Sequence, residues 1–344
     1  NLSAVTFGNN VTTIGSSAFA YCSSLSSVTI PASVSYIGYS IFESCNSLNS
    51  MVVESGNTTY DSRNNCNAII ETASNTLITG CQSTMIPETV TTIGEQAFYD
   101  CDGLTTIAIP NSVTSIGYYA FSNCDNLSSV DLGNGVTTIR EQAFYNCDGL
   151  TTIAIPNSVT SIGYYAFADC NNLSSVDLGN GVTTIGGSAF EYCYAMTSIT
   201  IPASVTEIGS LAFYNCPTIV MEGTTPPTIS SYTFTSEATI FVPCTALDTY
   251  LTTSVWQDLN LQGNNYTVTL SATEGGYAQI TASDCATNTV TIEAYPEERY
   301  VFTQWSDGNT ENPRTLTLTE DTKLTAEFTA VPFHKVELKG YTTK

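Results

Sequence analysis

A solenoid of stacked 23-residue coils, each a short strand and a short helical turn, followed by a small β domain, is the fold the sequence predicts. Three observations predict it. Cysteine recurs every 23 residues, from Cys22 to Cys45 and again through Cys101, Cys124, Cys147, Cys170, Cys193 and Cys216. Around each lies one pattern: C-x-x-L-x-x-I/V-x-I/L, a turn, V-x-x-I-G, two variable residues and A-F. The stretch CDNLSSVDLGNGVTTIREQAF, Cys124 to Phe144, carries every element. From Tyr266 the rhythm changes to plain alternation of apolar and polar residues. A fixed period of about 20–29 residues with Leu and Ile at set offsets signals an α/β-type leucine-rich solenoid. A single unit is too small to bury its own apolar edge, so neighbours must stack.

The solenoid is expected over residues 1–221. In each coil the Leu, Ile/Val and Ile/Leu positions, such as Leu104, Ile107 and Ile109, should face inward. Ala120 and Phe121 should pack from the opposite wall, Phe filling the core and Ala letting the backbone approach. The periodic cysteines are expected to line the interior as small buried thiols. Equivalent positions on successive coils have parallel Cβ vectors, which suits a disulfide poorly. A second period of 46 residues overlies the first. Val90–Gly135 and Val136–Gly181 differ at only five positions: Gly94/Arg140, Asp100/Asn146, Ser122/Ala168, Asn123/Asp169 and Asp125/Asn171. Copying a two-coil block suits a scaffold or a multivalent surface, whereas an active site needs one unique constellation.

The rhythm breaks once, between Cys45 and Cys101, where a hairpin insertion near residues 54–83 is expected. Ala68–Glu71 and Thr76–Gly80 read as its strands. Pairing Glu71 with Thr76 would set Cys66 opposite Cys81, close enough for a disulfide; the alternative is two separate buried thiols. Residues 222–262 change character: GTTPPTI is a turn-rich connector, Ile240–Pro243 a last strand, and ALDTYLTTSVW has helical spacing. They are expected to form the C-terminal cap that a solenoid needs over its exposed core. YTVTLSA, YAQITAS, NTVTIEA, RYVFTQW, RTLTLTE and TKLTAEF then make a small β domain over residues 263–330. Cys244 and Cys285 lie outside the periodic set, and a bridge between cap and β domain is one option for them. Residues 331–344, with His334, Lys335, Lys339 and Lys344, form a tail.

The repeat C-x-x-L-x-x-I-x-I-P-x-x-V-x-x-I-G-x-x-A-F resembles the BspA-like leucine-rich repeat family of bacterial surface proteins. The interruption VVESGNTTYDSRNNCNAII resembles the hairpin insertion of that family. The end segment YVFTQWSDGNTENPRTLTLTEDTKLTAEF resembles the divergent internalin-type B repeat, a small β-grasp-like domain, with Tyr300, Phe302, Trp305, Asp307, Gly308, Asn312, Pro313, Arg314 and Phe328 as its hallmark residues. The resemblance implies a secreted or surface-anchored bacterial protein, an adhesin for host matrix or cell-surface proteins or glycans. It carries over no catalytic residues. Arg140 departs from the family's glycine, with an effect expected to be local.

Composition narrows the function. The 344 residues hold 31 acidic and 8 basic side chains, a net charge of −23. Before residue 299 the only basic side chains are Arg63 and Arg140. Nucleic acid is therefore excluded as a partner, because phosphate binding needs clustered Lys and Arg. An anionic membrane surface is disfavoured for the same reason. No run approaches the roughly 18–20 apolar residues of a membrane span, so no direct insertion is expected. The opening NLSAVTFGNNVTTIGSSAF matches the middle of a repeat at Asn172–Phe190, and the expectation is a secreted or cell-surface chain whose leader has been removed. No cofactor is expected. A zinc site fails because no C-x-x-C occurs and the one histidine is His334, and without a histidine in the repeats a Ser-His-Asp or Cys-His centre is excluded. Asp131-Leu-Gly-Asn-Gly and its copy at Asp177 lack the Asp-x-Asp spacing of calcium loops.

Two candidate binding features remain. Exposed strand positions, Thr106, Asp131, Thr152, Asp177 and Thr200 among them, form an ordered polar face on which a carboxylate recurs every second coil, roughly 10 Å apart at strand spacing. The plain alternative is a solvated β surface without a ligand. Tyr118 and Tyr164 precede Ala-Phe in their coils and could stack on sugars or anchor a protein; the alternative is packing between coils. The leading reading is a non-enzymatic adhesin whose solenoid face contacts a host protein or glycan, and its rival a structural stalk with no ligand of its own.

Overall fold

In the computed structural model, residues 2–264, 266, 268–285 and 287–331 are described. They form two compact units. One runs to Ile240 and includes Asp248–Leu261; the other comprises Phe241–Leu247 and the described residues from Gln262 onward. The tail expected at 331–344 lies, apart from Val331, outside the described residues.

Each coil of the first unit has three walls. The first is a strand such as Thr106–Ala108, which pairs in parallel with Ser129–Asp131 of the next coil. The second is a two-residue strand such as Ser115–Ile116, paired with Thr92–Ile93 on one side and Thr138–Ile139 on the other. Before it stands a threonine whose hydroxyl donates to the equivalent threonine carbonyl one coil back: Thr114 to Thr91 at 3.3 Å, Thr137 to Thr114 at 3.0 Å, Thr160 to Thr137 at 3.3 Å. That bond accounts for the V-T-x-I motif.

The third wall, predicted as short helical turns, is a succession of tight turns that bond from coil to coil. Gln96 N–H donates to Tyr118 O, Phe98 N–H to Ala120 O and Asp100 N–H to Ser122 O, at 2.9, 2.7 and 2.9 Å. Every second N–H can point along the stack because Gln96 and Asp100 take left-handed φ values of 56° and 57°. A helix would have turned those donors onto its own carbonyls.

Apolar residues fill the space between the walls. Leu104, Ile107, Ile109, Val113, Ile116, Ala120 and Phe121 are all buried. The phenylalanines form one column: Phe98, Phe121, Phe144, Phe167, Phe190 and Phe213 stack with successive centroids 4.9, 5.0, 5.2, 5.2 and 5.3 Å apart. The column continues to Phe234 and ends at Trp256, whose ring is tilted by 54° and takes an edge-on contact from Tyr250 at 4.8 Å. Trp256 Nε1 donates to Pro227 O and Tyr250 to Gly223 O, so both buried rings satisfy their polar ends. The periodic cysteines are free thiols, as expected, and most are buried.

The interruption adds strands to one wall only. Tyr60–Asp61, Ala68–Glu71 and Thr76–Gly80 join the sheet of the second wall, where Leu77 pairs with Ile93. On the turn wall the coil of Cys45 meets that of Cys101 directly: Ser44 N–H donates to Asp100 O at 3.2 Å and Asn46 Nδ2 to Asp102 Oδ2 at 2.9 Å. The expected hairpin strands form. The expected Cys66–Cys81 disulfide does not, and both are buried free thiols. Glu71 pairs with Thr76 as predicted, but a bulge between Ile69 and Ile70 shifts the register, so that Ala68 pairs with Gly80. That one-residue slip carries Cys66 past Cys81. Each thiol instead donates to a nearby carbonyl, Cys66 to Ala68 O and Cys81 to Asn67 O.

The second unit contains two three-stranded sheets. Val268–Ala272, Thr322–Ala330 and Tyr300–Trp305 make one; Gly276–Asp284, Thr289–Pro296 and Arg314–Thr317 make the other. Trp305, Ile292 and Ala326 are fully buried at its core. Trp305 Nε1 donates to Glu311 O, and Arg314 pairs with Asp307 at 2.6 Å. Cys244 and Cys285 are joined by a disulfide across a Cα separation of 5.5 Å. It fastens the Phe241–Leu247 segment to the strand that ends at Asp284.

Candidate functional site

The exposed edge of the first wall alternates between two turns, and their chemistry follows from the two-coil repeat. In one coil the strand runs into Ile109-Pro110-Asn111, in the next into Asp131-Leu-Gly-Asn-Gly. Leu132 is buried, so the chain must reverse tightly around it. The Asp131 carboxylate accepts the Gly133 N–H at 3.1 Å, and Asn111 Oδ1 from the coil before accepts the Asn134 N–H at 2.6 Å. The copy repeats this with Asp177 and Gly179 at 3.0 Å, and with Asn157 and Asn180 at 2.7 Å. A Cβ at Gly135 would lie 1.9 Å from Asn111 O, so only glycine lets the two turns approach.

Between these turns lies an open groove of about 520 Å³ lined by Asp131, Asn134, Asn157, Asp177, Asn180 and Thr200, together with Pro156 and Pro202. A second hollow of about 370 Å³ shares Asp131, Gly133 and Asn134 and reaches Glu88 and Asn111. Together they carry the side chains of Glu88, Asp131 and Asp177 and of Asn111, Asn134, Asn157 and Asn180 among apolar neighbours.

The predicted site residues divide among three places. Asp131, Asp177 and Thr200 come together in the groove. Thr106 and Thr152 are exposed on the same strand face, but two residues inward from Ala108 and Ala154 and outside the groove lining. Tyr118 and Tyr164 follow the second strand instead. They are also unlike each other: Tyr118 is 40% exposed beneath Arg140, and Tyr164 is 61% exposed. The asparagines were missed, although the alternation of I-P-N with D-L-G-N-G was their signal.

The described residues contain no group of three His, Cys, Asp or Glu side chains that could hold a metal. The buried thiols are poor nucleophiles, because burial pushes Cys45 up to about 11 and Cys101 and Cys216 up to about 12. No helix among the described residues is long and apolar enough to cross a membrane.

Comparison with protein families matches residues 1–89 and 91–220 to the BspA type leucine rich repeat region, in six copies, across more than half of the chain. The chain belongs to the BspA-type leucine-rich repeat family. Residues 266–332 match the divergent InlB B-repeat domain. Among solved structures, this BspA-type chain is similar to a leucine-rich repeat protein from Bacteroides ovatus, at 25% identity and a TM-score of 0.50, over 70% of this chain and 62% of that one. A leucine-rich repeat protein from Eubacterium ventriosum is 28% identical over 61% of this chain and 63% of that one, with a TM-score of 0.47. A leucine rich cell surface protein from Faecalibacterium prausnitzii is 25% identical over 76% and 86%, with a TM-score of 0.37. The chain thus spans about three fifths of the first two relatives. No curated protein matches it.

Proposed function

We propose that this BspA-type protein is a non-enzymatic binding protein of the bacterial cell surface, and that the groove along the first wall receives an extended host protein or glycan. The cap over residues 222–262 and the B-repeat-like domain act as closure and spacer. The groove carries the reading: it gathers Asp131, Asp177 and Thr200 with Asn134 and Asn180 in an open channel rich in acceptors. A ligand presenting hydroxyl or amide donors meets partners at each coil, and repetition adds weak contacts into useful avidity. Family membership supports the surface location.

The test is an array of glycans and matrix proteins probed with the purified chain and with the Asp131→Asn/Asp177→Asn variant. Asparagine keeps the oxygen that accepts Gly133 and Gly179 N–H, so the turn persists while the charge is lost. Loss of the array signal with unchanged thermal melting supports the reading. Equal signal from both proteins overturns it. The rival reading is a stalk without a ligand, favoured by the near-identity of the two 46-residue blocks; it predicts no array signal at all.

A further inference from the structure

One feature of the duplicated blocks points to a ligand outside the groove. Tyr118 and Tyr164 are equivalent residues of nearly identical sequence, each beginning the turn wall after V-T-S-I-G. In the first copy the following coil supplies Arg140 where every neighbouring coil has glycine, at Gly94, Gly117, Gly163 and Gly186. The Arg140 guanidinium lies 5.1 Å from the centre of the Tyr118 ring, and its Nη1 donates to the Tyr118 hydroxyl at 3.1 Å. A planar cation over a ring face with a donor on the phenol oxygen satisfies both the quadrupole and the hydroxyl.

In the second copy the following coil carries Gly186 and Gly187 instead of Arg140 and Glu141. One side of the Tyr164 ring rests on that bare backbone, since a Cβ on Gly187 would lie 3.0 Å from a ring carbon. Gly186 brings no side chain to where Arg140 covers Tyr118, and Tyr164 is 61% exposed against 40% for Tyr118. Of the two basic residues before position 299, Arg140 is committed to Tyr118 and Arg63 to Asp61 at 2.6 Å.

We propose that Tyr164 is a docking platform for an arginine side chain of a partner protein, and that Arg140 is an internal mimic of that ligand which closes the equivalent platform at Tyr118. The chain itself displays the ligand chemistry, and a net charge of −23 favours the approach of a cationic partner. Arg140 is then a specificity-determining residue, leaving one of the two duplicated platforms open. The platform follows the second strand and the groove follows the first, so either can fail without the other.

The probe is N-acetylarginine amide, titrated into the full chain carrying ¹³C-labelled tyrosine, with N-acetylcitrulline amide as its neutral isostere. The ring signals of Tyr118 and Tyr164 are assigned by single Tyr→Phe substitutions and followed by NMR. Saturable shifts of Tyr164 alone are expected in the unsubstituted chain, and shifts of both rings in Arg140→Gly. That variant restores the residue of the neighbouring coils, so it should fold. A fluorescent tetra-arginine peptide should bind Tyr164→Ala about two- to fivefold more weakly, the range for an exposed cation–π contact. Because Tyr→Ala leaves the net charge alone, loss there cannot come from the acidic field. Equal response to citrulline, a Tyr118 response in the unsubstituted chain, or a Tyr164 response to methyl glycosides but not arginine each overturns the proposal.

Discussion

The Cys147 thiol donates to the Phe121 carbonyl at 3.1 Å, and the same bond joins Cys124 to Phe98, Cys170 to Phe144 and Cys193 to Phe167. The repeat therefore uses cysteine as a small apolar filler that also carries a weak donor, and the donor ties each coil to the one before. Alanine would leave the carbonyl without its partner and open a small void. Cys147→Ala should cost about 1–2 kcal/mol in chemical denaturation. A loss below the error of the measurement would mean the bond contributes nothing.

The same thiols make alkaline pH a probe of packing. Burial raises Cys101 and Cys216 to about 12, from an ordinary value of 9.0. An acid whose folded pKa is raised stabilises the fold fully below its unfolded value, and the benefit fades as pH climbs toward the folded value. Melting temperature should therefore be flat to about pH 9 and fall between pH 9 and 12. Thiol reagents at neutral pH should reach the buried cysteines only after denaturation. Rapid labelling of Cys124 or Cys147 in the native chain would contradict the burial seen here.

The Phe column is the other continuous element. Phe144 lies between Phe121 and Phe167, 5.0 and 5.2 Å away, with planes inclined by only 4° and 3°. Phe144→Ala empties a site closed on both sides by rings that cannot rotate inward. A loss of about 3–5 kcal/mol is expected, read by thermal or urea unfolding. A loss under ~1 kcal/mol would show that the column collapses around the gap.

Most of this architecture could be read from the sequence because the period repeats each residue's environment. Leu104, Ile107 and Phe121 are buried where the spacing put them. What the spacing did not carry was local. The bulge at Ile69/Ile70 moved Cys66 away from Cys81, and a single extra residue leaves no mark in an alternating pattern. The turn wall departs from the expected helical turns through the left-handed Gln96 and Asp100, which are not glycines and carry no sequence signal of that conformation. At the edge, Asp131 and Asp177 were found through their side chains. The asparagines beside them act between coils, the Asn111 carboxamide on the Asn134 N–H and Asn157 on Asn180, which no single repeat displays.

Glycine at the groove turn makes a sharper test of coil-to-coil contact than any side chain. A Cβ at Gly135 would fall 1.9 Å from Asn111 O, a backbone atom held by its own coil, while one at Gly15 would meet nothing within 4 Å. Gly135→Ala should destabilise by at least about 2 kcal/mol, whereas Gly15→Ala should change stability by less than ~0.5 kcal/mol. If both variants melt alike, the turns do not pack as described.

Stacking identical coils also stacks identical charges. Asp102, Asp125 and Asp148 follow Cys101, Cys124 and Cys147 on successive coils. Partial desolvation and then repulsion from Asp102, Asp148 and Asp100 raise the Asp125 carboxyl above its usual value. For an acid shifted upward, the charged form opposes folding: the cost is complete above the folded pKa and disappears below the unfolded value of 3.8. Asp125→Asn, the residue found at the equivalent Asn171, should therefore raise the melting temperature at pH 7 and lose that advantage by about pH 3. Because Asp125 is exposed, the gain should be small and should shrink in high salt. An advantage that persists at pH 3, or one insensitive to salt, would place its origin in packing rather than in the charges of the neighbouring coils.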